Sequence, residues 1–164
     1  MKAAKSQTAE ERNELVITRM FDAPRAIVWK VWTDPVQMKK WWGPKNFTAA
    51  VIKIDLRVGG KYLYCMRGPD GKDFWSTGVY QEIAAPERFV VTDSFADASG
   101  NPVSASEYGV PGEWPDELRL TVHLVEQNGK TSMTLTHEGI PAEMHEMCNT
   151  GWNESFDKMA ASLK

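Results

Sequence analysis

The stretch MHEMCNTGWNESFDKMAASL, residues 144–163, places apolar and small side chains at three- and four-residue steps. This spacing puts them on one face of an α-helix, and the opposite face is polar. We therefore predict a long amphipathic helix from about Pro141 to Leu163, which must pack its apolar face on a large partner. The apolar stripe comprises Met144, Met147, Cys148, Gly151, Trp152, Ser155, Phe156, Met159 and Leu163.

The chain before this helix reads mainly as β-strands joined by tight turns. Residues 51–57 alternate apolar and polar side chains, and Asn128-Gly129 is a strong hairpin signal. Two short helices, at about 24–32 and 35–42, follow the first strand because Pro24 and Pro35 suit first helical turns. The predicted strands span residues 14–21, 51–57, 61–67, 74–83, 88–95, 118–126 and 131–137.

These elements predict an α+β fold in which a curved antiparallel sheet of six to seven strands wraps around the C-terminal helix. We expect a flexible tail over residues 1–13 and one domain over residues 14–164. Seven Trp and eight Met in 164 residues favour a roomy interior. A net charge of -3 gives no reason to expect a nucleic-acid partner.

The sequence contains no apolar window long enough for a signal peptide or a membrane span, so we expect a cytoplasmic protein without a membrane partner. Cys65 and Cys148 form no CxxC pair, and we expect reduced thiols although a disulfide is not excluded. Both a monomer and a homodimer stay open.

Five motifs along residues 14–163 resemble those of START-like (SRPBCC) helix-grip proteins. They are Phe21-Asp22-Ala23-Pro24, Trp41-Trp42-Gly43-Pro44, Asp55-Leu56-Arg57-Val58-Gly59-Gly60, Gly68-Pro69-Asp70-Gly71 and Gly151-Trp152. The nearest resemblance is to stand-alone bacterial relatives of the C-terminal domain of the activator of the 90-kDa heat-shock-protein ATPase. It implies a cavity between the sheet and the C-terminal helix. The wider superfamily includes lipid carriers, hormone receptors and polyketide cyclases, so the fold does not fix the function.

We expect this cavity to bind a ligand, because such sites combine apolar walls with a few polar groups. Strand alternation and helix phase place a set of candidate residues around it. They are Trp42, Phe47, Tyr64, Met66, Trp75, Tyr80, His137, Trp152 and Phe156. The breaker-rich loop of residues 108–115 is a candidate lid through Tyr108, Val110 and Trp114. The same three residues could instead pin the loop to the sheet.

His137 is the most informative polar candidate, because it shares a strand face with Met133 and Leu135. A histidine there could bind a ligand or act as an acid or base, or it could be a satisfied core residue. The segment Glu143-Met144-His145-Glu146 lacks the HExxH spacing, and we assign no metal. No nucleophile, phosphate loop or dinucleotide motif is visible, so we assign no catalytic residue and no cofactor.

The first functional hypothesis is reversible binding of an apolar or amphipathic small molecule between the sheet and the helix. The second, taken from the resemblance, is a co-chaperone-like role as an activator of a heat-shock-protein ATPase, with the chaperone as partner. The third is a cyclase- or hydratase-type enzyme that uses the same cavity. The sequence leaves these three alternatives open.

Overall fold

The computed structural model describes residues 13–164, and the predicted tail over residues 1–13 falls outside them except for Asn13. Seven strands form one antiparallel sheet in the order β1-β7-β6-β5-β4-β3-β2. The strands are β1 Leu15–Phe21, β2 Thr48–Ile54, β3 Lys61–Arg67, β4 Asp73–Ala84, β5 Arg88–Ala96, β6 Leu118–Gln127 and β7 Lys130–Glu138. The predicted α+β architecture is confirmed.

Two short helices follow β1, as predicted: α1 Arg25–Thr33 and α2 Pro35–Met38. Pro24 is the N-cap of α1 rather than its first helical residue, and α2 ends at Met38, four residues before the predicted end. The side chain of Asp34 caps α2 by accepting a hydrogen bond from the Val36 backbone N–H. On α1, Val28, Trp29 and Trp32 are buried, whereas Ile27 is 46% exposed.

The C-terminal helix α3 spans His145–Ser162, and a 3₁₀ turn, Ala142–Met144, precedes it. Ser155, Phe156 and Met159 of the predicted stripe are buried. Met147 is 65% exposed, because it lies near the N-terminus of α3 at the margin of the stripe. The helix therefore packs on the sheet mainly through its C-terminal half.

The sheet has one concave face that covers the core and one convex face that is more polar. Strand β6 shows this division, since Leu118, Leu120 and Val122 are buried and Arg119 and His123 are exposed. Two register irregularities, in the β2–β3 and β4–β5 pairs, are bulges of the kind that bend and twist a sheet.

The hairpin between β6 and β7 turns at Asn128 and Gly129, with φ values of 54° and 77°. Both values lie in the left-handed region that a two-residue type I′ turn requires. Within residues 13–164, no helix is long and apolar enough to cross a membrane.

Candidate functional site

Four side chains on the concave side form a chain of hydrogen bonds, which we call the polar chain: Tyr62, Asp93, His137 and Trp152. The Tyr62 hydroxyl donates to Asp93 Oδ1 at 2.6 Å, and His137 Nε2 lies 2.9 Å from Asp93 Oδ2. The Trp152 indole N–H donates to His137 Nδ1 at 3.2 Å. Three sheet strands and α3 thus meet at one buried polar site.

The hydrogen bonds of the polar chain assign the tautomer of His137. An indole N–H is only a donor, so Nδ1 of His137 must accept and carries no proton. Nε2 then carries the ring proton and donates a hydrogen bond to the Asp93 carboxylate. His137 is therefore neutral in this arrangement, and both of its ring nitrogens are engaged.

Asp93 is the charged member of the polar chain. Burial raises the pKa of the Asp93 carboxyl, but the hydrogen bonds from His137 and from the Tyr62 hydroxyl act in the opposite direction, and the net pKa lies below the usual value of 3.8. The side chain of Asp93 is still 23% exposed, compared with 9% for His137. Asp93 is therefore an ionised, partly accessible group inside an otherwise apolar face.

The groups around Asp93 keep their protons. Burial, together with the charge of Asp93, raises the pKa of the Tyr62 hydroxyl well above 10.0. Burial and then the neighbouring Tyr80 raise the pKa of Tyr64. Burial and the charge of Asp93 raise the pKa of the Cys148 thiol to about 11.

A glycine allows Tyr62 to reach Asp93. Strand β4 lies between β3 and β5, and its Gly78 pairs with Tyr62. A Cβ at Gly78 would lie 2.8 Å from Tyr62 Cε1 and 1.8 Å from the Thr92 carbonyl oxygen. Since no side chain fits there, Tyr62 crosses β4 above Gly78 and bonds to β5.

Five partly buried aromatic rings continue from the polar chain toward the edge of the concave face, and we call them the aromatic arc. Phe95 lies two residues after Asp93 on β5 and therefore on the same strand face. Its ring centroid is 5.4 Å from that of Trp114 and 6.0 Å from that of Tyr108. The complete arc is Phe47, Phe74, Tyr108, Phe95 and Trp114.

The sequence-predicted ligand residues fall into two groups by burial. Tyr64, Tyr80 and Phe156 are buried core residues. Trp42 and Trp152 are partly buried and contact each other with ring centroids 5.6 Å apart. Packed aromatic rings lie in the deep space between sheet and helix, where the resemblance implies a cavity.

Phe47 and Met66 lie together at the edge of the sheet, where both approach Gly43. The Lys158 ammonium holds this segment to α3 by donating to the Pro44 and Phe47 carbonyl oxygens at 3.2 and 3.1 Å. The structure therefore places Phe47 in the aromatic arc, with Met66 beside it.

Trp75 is the predicted site residue that the structure does not bring to this site. Its register partner on β3 is Cys65, whereas Tyr64 faces Ser76. Because side chains alternate along a strand, Trp75 lies on the convex face, opposite to Tyr64 and Tyr80. Both faces of β4 carry apolar groups, so alternation alone could not assign the side.

The candidate lid residues are attached to the sheet. The Tyr108 hydroxyl donates to the Ala96 carbonyl and accepts from the Trp75 backbone N–H. Val110 and Trp114 pack against the core, and the Trp114 indole donates to the Pro111 carbonyl. Tyr108 thus anchors the loop to the ends of β4 and β5, and Trp114 contributes a ring to the aromatic arc.

Sequence reasoning missed Tyr62, Phe74, Asp93 and Phe95. A signal for Asp93 was present, because Phe89, Val91, Asp93 and Phe95 alternate along β5. A carboxylate at the third inward position of such a strand indicates a buried acid that needs partners. The pairing of Asp93 with His137, 44 residues away, is a tertiary contact that no local pattern specifies.

Two surface depressions, of about 290 and about 100 Å³, lie on the convex face of the sheet. Thr92 lines both, and Arg119 and Glu138 line the larger one. Each of these three residues is adjacent in sequence to one on the concave face: Thr92 to Asp93, Arg119 to Leu118, and Glu138 to His137. Because side chains alternate along a strand, Thr92, Arg119 and Glu138 point to the convex face. Among residues 13–164, no group of three or more His, Cys, Asp or Glu side chains could hold a metal ion.

Comparison with known proteins identifies relatives over nearly the whole chain. Residues 22–164 match the family model described as "Activator of Hsp90 ATPase homolog 1-like protein". A solution NMR structure of a protein from Arthrobacter aurescens is similar at 31% identity and a TM-score of 0.78, covering 96% of this chain and 89% of that one. No curated protein matches the chain.

Two crystal structures have a similar fold. A protein from Chromobacterium violaceum shares 30% identity at a TM-score of 0.75, with 91% of this chain and 95% of that chain covered. The AHSA1 protein from Silicibacter pomeroyi shares 20% identity at a TM-score of 0.72, with 92% and 96% covered. At 20% identity the latter similarity concerns the fold alone.

Proposed function

Since the chain belongs to the family of Activator of Hsp90 ATPase homolog 1-like proteins, we propose that it binds a small apolar or aromatic molecule on its concave face. This START-like fold family commonly binds hydrophobic ligands. The molecule lies along the aromatic arc, and its polar end meets Asp93. One observation carries this proposal: an ionised carboxylate with a 23% exposed side chain stands two residues from the arc ring of Phe95.

The aromatic arc suits such a ligand because its rings are incompletely covered by the protein. All five side chains are partly buried, so each retains surface that a ligand can remove from water. Burial of apolar area contributes roughly 25 cal/mol per Å². The deeper aromatic rings, Phe156 and Tyr80, support the fold and lie beneath the ligand rather than against it.

The hydrogen bonding of His137 favours binding over catalysis. An acid or base needs a ring nitrogen within reach of the reacting group. Both nitrogens of His137 are engaged, one with Asp93 and the other with Trp152. His137 therefore fixes the orientation of the Asp93 carboxylate, and the cyclase- or hydratase-type alternative lacks a free histidine nitrogen at this site.

The co-chaperone alternative rests on the family description alone. It is tested by mixing the purified chain with a 90-kDa heat-shock protein and measuring the ATPase rate. On the binding proposal the rate is unchanged, and a stimulated rate would show the second function.

The binding proposal is tested by titrating 2-naphthalenemethanol, a neutral aromatic alcohol, into the protein by calorimetry. Trp114→Leu removes a ring of the arc and weakens binding, whereas Trp75→Leu removes a partly buried ring from the convex face and leaves affinity unchanged. Equal affinities for the two variants would contradict the proposed location. No measurable binding to the unmodified protein, together with no rise in its melting temperature, would contradict the function.

A further inference from the structure

Within residues 13–164, only half of the hydrogen-bonding capacity of Asp93 is used. A carboxylate offers about four acceptor positions on its two oxygens. Tyr62 donates to Oδ1, and His137 donates to Oδ2. With 23% of its side chain exposed, Asp93 can accept further hydrogen bonds from a molecule on the concave face.

Among the described residues, the side chains that hydrogen-bond to Asp93 bring no full positive charge to balance its negative charge. His137 is neutral in its observed hydrogen bonds, since Nδ1 accepts from Trp152. Tyr62 and Cys148 keep their protons, because burial and the charge of Asp93 raise both pKa values. The inner end of the aromatic arc therefore presents a carboxylate surrounded by neutral donors.

Two lysines contact residues at the outer end of the aromatic arc and do not bond to Asp93. The Lys158 ammonium donates to two backbone carbonyl oxygens, those of Pro44 and Phe47. The Lys72 ammonium lies 5.1 Å from the ring centroid of Phe74, at the outer end of the arc. This second contact shows an arc ring accepting a cation on its π surface.

Building on the binding function proposed above, we infer that the site takes an aromatic or apolar amine, with the protonated amine directed at Asp93. The ammonium donates hydrogen bonds to the acceptor positions that Tyr62 and His137 leave open on the Asp93 carboxylate. It also brings the positive charge that these neighbours do not supply. The electron-rich ring faces of the arc also attract a cation.

A ligand carboxylate fits this site poorly for the same reasons. It would bring a second negative charge close to Asp93, and it has no proton to donate at neutral pH. Like charges placed together with little water between them repel strongly. The site therefore discriminates between head groups on one apolar frame, and fatty or aromatic acids are the disfavoured class.

Three naphthalene compounds test the inference at pH 7: 2-naphthylmethylammonium, 2-naphthalenemethanol and 2-naphthoate. In the unmodified protein, we expect the ammonium to bind at least about tenfold more tightly than the carboxylate, with the alcohol between them. Asp93→Asn keeps the shape of the side chain but removes its charge, and it reduces this ratio to within about threefold. Glu82→Gln removes the same charge from an exposed residue paired with Arg88, and it preserves the ratio.

The outcomes separate this inference from the proposal on which it rests. If the alcohol binds but the ammonium and the carboxylate bind equally, or the carboxylate binds more tightly, the amine preference is wrong and the binding function stands. If none of the three binds, both are wrong. If a folded Asp93→Asn variant keeps the preference, Asp93 is not its source. The ratio in the unmodified protein decides the matter even if Asp93→Asn fails to fold.

Discussion

Replacing Tyr62 with Phe tests the polar chain with minimal disturbance, because only the hydroxyl group is lost. That hydroxyl donates to the Asp93 carboxylate at 2.6 Å. Hydrogen bonds to charged groups contribute roughly 1.5–3 kcal/mol, and Asp93 keeps its His137 partner. We therefore expect Tyr62→Phe to lower the free energy of unfolding by about 2 kcal/mol at pH 7.

The pH dependence of this loss identifies Asp93 as its source. The pKa of Asp93 in the folded state lies below 3.8. Ionisation of Asp93 therefore stabilises the folded state at neutral pH, and this stabilisation is lost as the pH falls through the folded-state pKa. Tyr62 is one cause of that lowered pKa, and Tyr62→Phe shifts it upward. The unfolding free energies of variant and unmodified protein therefore converge as the pH falls from 7 toward 3.

Urea denaturation across this pH range measures the effect. Tyr64→Phe is a matched control, because Tyr64 is also buried on β3, two residues after Tyr62, and it is the Tyr62 hydroxyl that donates to Asp93. It should cost about 1 kcal/mol, with no dependence on the ionisation of Asp93. A Tyr62→Phe loss below that of Tyr64→Phe, or one that is constant from pH 7 to pH 3, would refute the reasoning.

Three further measurements test the packing and the tautomer. Phe156→Ala removes a fully buried ring and should lower the free energy of unfolding by about 3–5 kcal/mol in urea denaturation. Met147 is exposed, and Met147→Ala should change that free energy by no more than about 0.5 kcal/mol. Similar losses for the two variants would contradict the orientation of α3 about its axis. Gly78→Ala should cost about 3 kcal/mol or more, because the new Cβ meets the Thr92 carbonyl, and an unchanged urea midpoint would contradict that close approach. Long-range ¹H–¹⁵N NMR should show the His137 ring protonated at Nε2 and unprotonated at Nδ1, and the opposite assignment would contradict the polar chain.

The sequence predicted the fold well because its signals are local and agree with one another. The alternation in β6, the Asn128-Gly129 turn and the α3 stripe each specify one element, and a curved sheet around a helix satisfies all of them. The element ends were less predictable. For example, α2 stops at Met38 and the following residues form turns.

The candidate site was less predictable, because it depends on which strand face turns inward and on pairings across the sheet. His137 was identified from its apolar neighbours on β7, and the structure pairs it with Asp93. The site also depends on Gly78, which leaves Tyr62 free to cross a strand. Trp75 shows the limit of periodicity, since β4 carries apolar groups on both faces and only the register shows which face points outward.

The central claim is that a ligand occupies the concave face beside Asp93, and the tryptophan indoles can report it directly. An ¹H–¹⁵N correlation spectrum should be recorded while 2-naphthalenemethanol is titrated into the unmodified protein. The account predicts saturable shifts of the indole N–H signals of Trp114 and Trp152, with that of Trp75 unchanged. Shifts at Trp75 with none at Trp114 or Trp152 would contradict it.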